Sequence, residues 1–329
     1  MKKIWIIAAV ALAAWSRAGR LSAQDTKPVF SGREIKPGGA AASPYYFSRP
    51  VTITYDPSNI FVLDARDNEV KVFSKDGSFR FSFGSKGQGP GEFNGPCDMD
   101  ILMDKIYIAD GANRRVQVVN KKGKYLSGFN TGFFPWRILA LEEERVVVAP
   151  LPSGRSGRDK VLHCFNSRGD LVWTALDSRT SGDSAFEAIE NQIFLRRGSG
   201  GGFFALRLVN DNLIRRLDAS GTVIGEAEIA ADFPFKEIAV PGFMGQKKTL
   251  RGLCWNYAVD GETLYLIVPE YTEGKDLGPG RRVAVVSPAG RIEAFIDLPD
   301  RVSRIAVEGD RIYGIDLDFR LRLFTLEKK

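Results

Sequence analysis

The sequence predicts an all-β chain: a six-bladed β-propeller of four-stranded antiparallel blades, closed by an N-terminal strand. Three observations carry this. The chain repeats itself: "NIFVLDARDNEVKVFSKDGSF" (59–79) runs parallel to "KIYIADGANRRVQVVNKKGKY" (105–125), so that Ile60 matches Ile106, Asp64 matches Asp110, Val70 matches Val116 and Gly77 matches Gly123. An apolar residue four positions before a turn glycine recurs down the chain, at Phe73/Gly77, Val119/Gly123, Phe165/Gly169, Leu217/Gly221 and Val286/Gly290. The last unit stops where its own turn should begin, while a strand-like segment stands unassigned near the start. Units of roughly 40–50 residues with four short strands each are the signature of propeller blades.

The elements follow in order. Met1, Lys2 and Lys3 precede an apolar run from Ile4 to Trp15, and small residues follow up to Ala23. This is the form of a cleaved export signal over 1–23, with 24–329 as one propeller domain. The apolar run is short of the roughly 20 residues a spanning helix needs. No other long apolar run occurs, so the mature chain is expected without a transmembrane segment. Residues 27–35, "KPVFSGREI", read as the strand that completes the last blade and removes an open sheet edge.

Each unit then alternates or runs Val, Ile, Phe, Leu and Tyr in stretches of strand length. Its hairpin turns, "SKDG", "NKKG", "NSRG", "DASG" and "SPAG", carry glycine where positive φ is needed. The stretch "GSKGQGPGEFNGP" (84–96) joins the first and second blades. It fails as a phosphate loop, because Lys86 is followed by Gly87 rather than Ser or Thr. It fails as a dinucleotide loop, because Glu92 stands where a third glycine is required.

The motif around Glu92, Phe93 and Pro96, continued by Asp110, Asn113, Val116 and Gly123, resembles an NHL repeat. The whole chain resembles bacterial exported six-bladed propellers of the NHL and TolB-like type. The resemblance is specific over Val51 to Gly123 and loose from Arg137 on. There the recurring aspartate is expected to give way to Ala149, Arg197 and Val268 before Asp316 restores it. Propellers of this kind include lactonases, quinoprotein dehydrogenases and lyases.

Composition narrows the chemistry. Of 46 basic residues, Lys2, Lys3, Arg17 and Arg20 precede Ala23, with no acids among them, which leaves 42 basic against 40 acidic residues. The high pI is therefore mostly a targeting signature and no argument for nucleic acid. Three cysteines are too few for a disulfide scaffold. Cys97, Cys164 and Cys254 read as buried free thiols. The single histidine, His163, adjoins Cys164, and strand neighbours point to opposite faces, so the pair makes a poor dyad. One histidine also rules out multi-histidine metal or quinone sites, and no cofactor is implied. Asp98 and Asn256 share a register on opposed blades, but two oxygen ligands fall short of a metal site. There is no Gly-x-Ser-x-Gly elbow, and no catalytic residue is assigned. Asp64, Asp110 and Asp316 read as caps of the turns that follow them.

The candidate binding surface is the face where interblade joints and second-to-third-strand connections emerge. The long segments 84–95, 151–160, 234–250 and 271–282 are expected there as loops, and elaborated loops on a rigid scaffold carry binding. Arg49, Asp98, Trp136, Arg137, Arg251, Trp255, Asn256 and Arg304 lie near inner-strand starts at the channel mouth, with Arg155, Arg158, Lys247, Lys248, Arg281 and Arg282 on the loops. Arginine and tryptophan are typical interface anchors. The expected function is that of a periplasmic or secreted, monomeric, non-catalytic binding propeller whose partner is a protein or a glycan. The alternative is a channel-centred lactonase- or lyase-like enzyme, with or without a divalent metal.

Overall fold

The computed structural model describes residues 27–34, 46–152, 159–180, 182–241, 247–271 and 277–328. The export signal over 1–23 lies outside them. β1 (Val29–Glu34) comes first, and six sheets follow. Blade one is β2 (Pro50–Tyr55), β3 (Asn59–Asp64), β4 (Glu69–Ser74) and β5 (Phe79–Phe83); blade two is β6 (Pro96–Leu102), β7 (Lys105–Asp110), β8 (Arg115–Asn120) and β9 (Tyr125–Asn130). Blade three is β10 (Pro135–Leu141), β11 (Arg145–Pro150), β12 (Lys160–Phe165) and β13 (Leu171–Asp177). A short helix, α1 (Ser184–Glu190), leads into blade four: β14 (Ile193–Arg197), β15 (Phe203–Arg207), β16 (Leu213–Leu217) and β17 (Val223–Glu228). The hairpin β18 (Lys236–Pro241) and β19 (Lys247–Gly252) is inserted before blade five, which is β20 (Tyr257–Asp260), β21 (Thr263–Tyr271), β22 (Leu277–Val286) and β23 (Ile292–Asp297). Blade six is β24 (Val302–Glu308), β25 (Arg311–Asp316) and β26 (Leu321–Lys328), with β1 as its fourth strand, antiparallel to β26. β1 also lies parallel to β23, so it ties blade five to blade six.

The core shows why the middle strands read as continuous apolar runs. Six hydrophobic clusters occur, and each lies between two neighbouring blades. Ile106 and Ile108 pack toward blade one, whereas Tyr107 and Ala109 of the same strand pack toward blade three. A strand buried on both faces has no polar side. The sixth cluster joins Ile53, Ile60 and Phe73 to Tyr313, Ile315 and Leu323, which closes blade six on blade one. Outer strands expose most of their residues, as in β5 and β17.

The turn glycines serve two ends. Gly77, Gly123, Gly169, Gly221 and Gly290 all have φ between 78° and 87°. Four of them also abut the outer strand of the preceding blade: a Cβ on Gly123 would lie 2.4 Å from Phe83, one on Gly169 2.7 Å from Phe129, one on Gly221 2.6 Å from Trp173 and one on Gly290 1.8 Å from the Glu228 carbonyl oxygen. Gly123→Ala adds the left-handed penalty of about 1 kcal/mol to an overpacking cost of about 1–3 kcal/mol. A loss of about 2–4 kcal/mol in urea unfolding is expected, and a loss below about 1 kcal/mol would show that the blades simply move apart.

Three expectations are corrected. The long connections at 234–250 and 271–282 are not plain loops: the first forms the β18–β19 hairpin and the second lengthens the β21–β22 ribbon, where Tyr271 pairs with Leu277. The two insertions touch through the Tyr271 hydroxyl, which donates to the Glu237 carbonyl. In blade four, residues 193–197 are the inner strand and not the second. The pairing Pro50–Asp64 is matched by Pro135–Pro150 and Ile193–Arg207, so the register equivalents of Asp64 are Pro150 and Arg207 rather than Ala149 and Arg197. The recurring aspartates also do more than cap their own turns. Asp64 accepts from the Ser48 and Arg49 N–H groups of the preceding joint at 2.7 and 2.9 Å and pairs with Lys71 at 3.0 Å. Asp110 likewise takes the Asn94 N–H at 2.7 Å and pairs with Arg115 at 2.7 Å. Asp316 accepts from the Asp318 and Arg320 N–H groups of its own turn and also pairs with Arg322 of β26 at 3.2 Å.

Candidate functional site at the channel mouth

Antiparallel blades place the interblade joints and the second-to-third connections at one end of the ring, where the inner strands begin. Strand pairing fixes one ring of residues just inside that end. Thr52, Asp98, Arg137 and Arg304 are the third residues of their inner strands, each following a register shift. Phe194 pairs with Leu206 in blade four, and the Asn256 carbonyl accepts from Ile267 N–H in blade five. These place Phe194 and Asn256 at the same level. One residue per blade results: Thr52, Asp98, Arg137, Phe194, Asn256 and Arg304. Arg137 and Arg304 come from opposed blades, as do Asp98 and Asn256.

The ring is tied circumferentially. The Thr52 hydroxyl donates to Asp98 Oδ1 at 2.5 Å, and the other Asp98 oxygen accepts from Ile138 N–H at 3.2 Å. Arg137 lies 4.1 Å from the Phe194 ring centre and 4.6 Å from that of Trp136. Arg196, two residues beyond Phe194, donates through Nε to the Tyr257 carbonyl at 3.1 Å, and Arg304 donates through Nε to the Val51 carbonyl at 2.8 Å. Sequence reasoning missed Arg196, because it follows from the wrong strand order in blade four. Deeper in the channel Arg197 reaches across to Asp100 and to the Ile101 and Ala140 carbonyls.

The charges do not balance. Arg137, Arg196 and Arg304 form no ion pair among the described residues, and Asp98 is the single carboxylate of the ring. Burial lowers the Arg137 pKa, with Arg196 adding to the effect against the opposing pull of Asp98. Burial brings Arg304 down to about 10, assisted by Arg137 and Arg196. Guanidinium groups still hold their protons there, so the mouth keeps its positive charge at neutral pH. Arg137 Nε, Trp136 Nε1 and Asn256 Oδ1 are buried and have no hydrogen-bond partner among the described residues.

The other expected site residues spread over the rim. The Arg49 and Trp255 side chains are exposed beside the ring. Arg251 stands off on β19, its guanidinium 3.6 Å from the Phe235 ring centre. Arg282 is already paired with Asp297 at 2.7 Å. Arg155 and Arg158 lie outside the described residues. A cleft of about 700 Å³ between β1 and the β21–β22 ribbon is lined by Asp232, Lys236, Glu270, Arg282 and Asp297. Its charges are largely matched within the cleft wall, through Lys27–Asp232 and Arg282–Asp297, unlike those of the channel mouth.

Nucleophilic chemistry finds little support. All three cysteines are buried free thiols. Burial pushes Cys97 up to about 12 and Cys164 up to about 11, far from thiolate formation at neutral pH. Both Asp98 oxygens accept from protein donors, the Thr52 hydroxyl and the Ile138 N–H.

Residues 45–147 match a family model described as a 6-bladed beta-propeller. The chain is a six-bladed β-propeller. Solved structures with the same fold include a Bacteroides fragilis protein described as exported, at 12% identity and TM-score 0.59, covering 91% of this chain and 95% of that one. A streptogramin B lyase follows at 11% identity and TM-score 0.53, covering 91% and 98%. A catalytically inactive histidine-to-alanine variant of virginiamycin B lyase from Staphylococcus aureus, with quinupristin, matches at 12% identity and TM-score 0.51, covering 87% and 99%. At such identities the likeness is one of fold. No curated protein matches the chain. Among the described residues no helix is long and apolar enough to cross a membrane.

Proposed function

We propose that this propeller is an exported, non-catalytic binding protein that recognises an acidic partner, protein or glycan, on its loop-elaborated face. The observation that carries the reading is the excess of positive charge at the channel mouth: Arg137 and Arg304 of the ring and Arg196 one level deeper stand against Asp98, while Asp100 at the level of Arg196 is already paired with Arg197, on the face that also bears both hairpin insertions. Buried charge without a counter-charge is costly, and an acidic partner supplies the missing one. The N-terminal stretch 1–23, in the form of an export signal, supports a periplasmic or secreted monomer. A lyase-like reading has less behind it. The S. aureus enzyme is inactive once a histidine is replaced, and the single histidine here, His163, sits on β12 of blade three with its ring 5.1 Å from Phe133.

The test uses exposed residues, so that folding is not at stake. Arg49→Glu with Arg251→Glu alters the rim, and Lys122→Glu with Lys124→Glu alters a hairpin turn at the far end. Retention on polyglutamate and polygalacturonate matrices should fall about tenfold for the rim pair, with a shallower salt dependence, and stay unchanged for the turn pair. Equal loss from both pairs, or no retention of the unaltered protein on either polymer, would refute the reading.

A further inference from the structure

The partnerless atoms of the ring say more about the ligand than the charge does. Arg137 is 7% exposed and Asn256 2% exposed, so neither is served by bulk water. Among the described residues, Arg137 Nε–H and Trp136 Nε1–H are donors without an acceptor, and Asn256 Oδ1 is an acceptor without a donor. A buried polar group left unmatched costs stability, so such groups mark places built for something else to bind.

Each simple class of ligand answers only part of this. A bare oxyanion meets the two donors but has no hydrogen to give to Asn256 Oδ1. A neutral sugar has hydroxyls for Asn256 and leaves the arginines unanswered. A sugar ring carrying a carboxylate meets both. Its carboxylate suits the planar guanidinium fork of Arg137, which the flanking Phe194 and Trp136 rings hold in orientation. Arg304, on the opposed blade, and Arg196, one step deeper, supply the remaining positive charge. A ring hydroxyl can donate to Asn256 Oδ1. Trp255, adjacent to Asn256 and 37% exposed, offers an aromatic face to the C–H face of the sugar ring.

We propose that the channel mouth binds a hexuronate unit, with its carboxylate between Arg137 and Arg304 and its hydroxyls toward Asn256. This rests on the binding reading above and narrows its partner to an acidic glycan. The experiment is calorimetric titration of the full propeller with galacturonate and glucuronate, set against galactose, glucose, acetate and inorganic phosphate. At least one uronate should bind, with the neutral sugars, acetate and phosphate each weaker by about tenfold or more, because a site built for polar groups rejects ligands that leave them unpaired. Asn256→Asp, which sets a carboxylate near the ligand's own, should weaken uronate binding about tenfold. Trp255→Ala, at an exposed position, should weaken it severalfold with the fold intact, so the test survives a misfolded Asn256 variant. Equal binding of acetate or phosphate would overturn the sugar assignment. Uronate binding indifferent to Trp255→Ala and Asn256→Asp would place it elsewhere and overturn the proposal. No heat with either uronate would also overturn it; continued salt-dependent retention on polyglutamate would then leave the broader reading standing.

Discussion

Asp64→Ala should lower the thermal midpoint by on the order of 10 °C, far more than any surface carboxylate removed nearby. Asp64 is completely buried and accepts from three backbone N–H groups, those of Ser48, Arg49 and Arg66, at 2.7, 2.9 and 3.3 Å. It also pairs with Lys71, whose side chain is only 5% exposed. Removing one partner of a buried, hydrogen-bonded pair typically costs about 3–5 kcal/mol, because the other is left desolvated. Each kcal/mol moves the midpoint of a domain of this size by roughly 2–4 °C. Lys71 keeps a second partner in Asp67, which moderates the loss without restoring the joint. Asp76→Ala, in the exposed β4–β5 turn, is the control and should cost no more than about 1 kcal/mol. The double change Asp64→Ala with Lys71→Met should recover part of the loss, since it no longer buries an ammonium that has lost its more deeply buried partner. Equal midpoints for Asp64→Ala and Asp76→Ala would show that the aspartate only caps its turn.

Why that role was hard to read shows what sequence can and cannot specify. The recurrence of Asp64, Asp110 and Asp316 was plain in the sequence, as were the turn glycines. Both are local: a positive φ is a property of one residue and its neighbours. What Asp64 grips is a segment 15–16 residues earlier, which no local pattern names. The same limit explains blade four. "NQIFLRRG" imitates the second strand "NIFVLDAR" in composition, and both inner and middle strands are buried, so hydrophobicity does not separate them. Counting back from the Gly221 turn does, since it gives 213–217 as third strand, 203–207 as second and 193–197 as first. That count would have put Arg196 in the channel beside Arg137 and Arg304. The helix α1 spans only seven residues, too few for a helical period to stand out. The inserted hairpin and the ribbon lie where no repeat partner exists for comparison. Asp98, Arg137 and Arg304 lie on inner strands, a placement that strand order alone implies. Which of them are buried and partnerless depends on side chains from three or more blades, and that is a property of the packed ring.

A chain that begins at residue 46 and so lacks β1 should elute as larger species than the full chain on size-exclusion chromatography and unfold at a clearly lower denaturant concentration. β1 is paired on both sides. It is antiparallel to β26 from Phe30–Lys328 to Glu34–Phe324, and parallel to β23 from Val29–Phe295 to Ser31–Asp297. Its backbone hydrogen bonds contribute about 1 kcal/mol each, and Phe30 packs against the cluster between blades five and six. Without β1, both β23 and β26 present open edges, and unpaired edges template association. The ring would still close through the blade-six to blade-one cluster, so the loss is one of edge protection and of the tie between blades five and six. A synthetic peptide of residues 27–35, added in excess, should restore the elution position of the full chain, because strand addition to an exposed edge is a general mode of recognition. The same peptide with Phe30→Asp should fail, since it keeps the backbone ladder and loses the apolar contact. A truncated chain that elutes in the same state as the full one and is as stable would show that β1 supplies neither edge protection nor a tie between blades five and six.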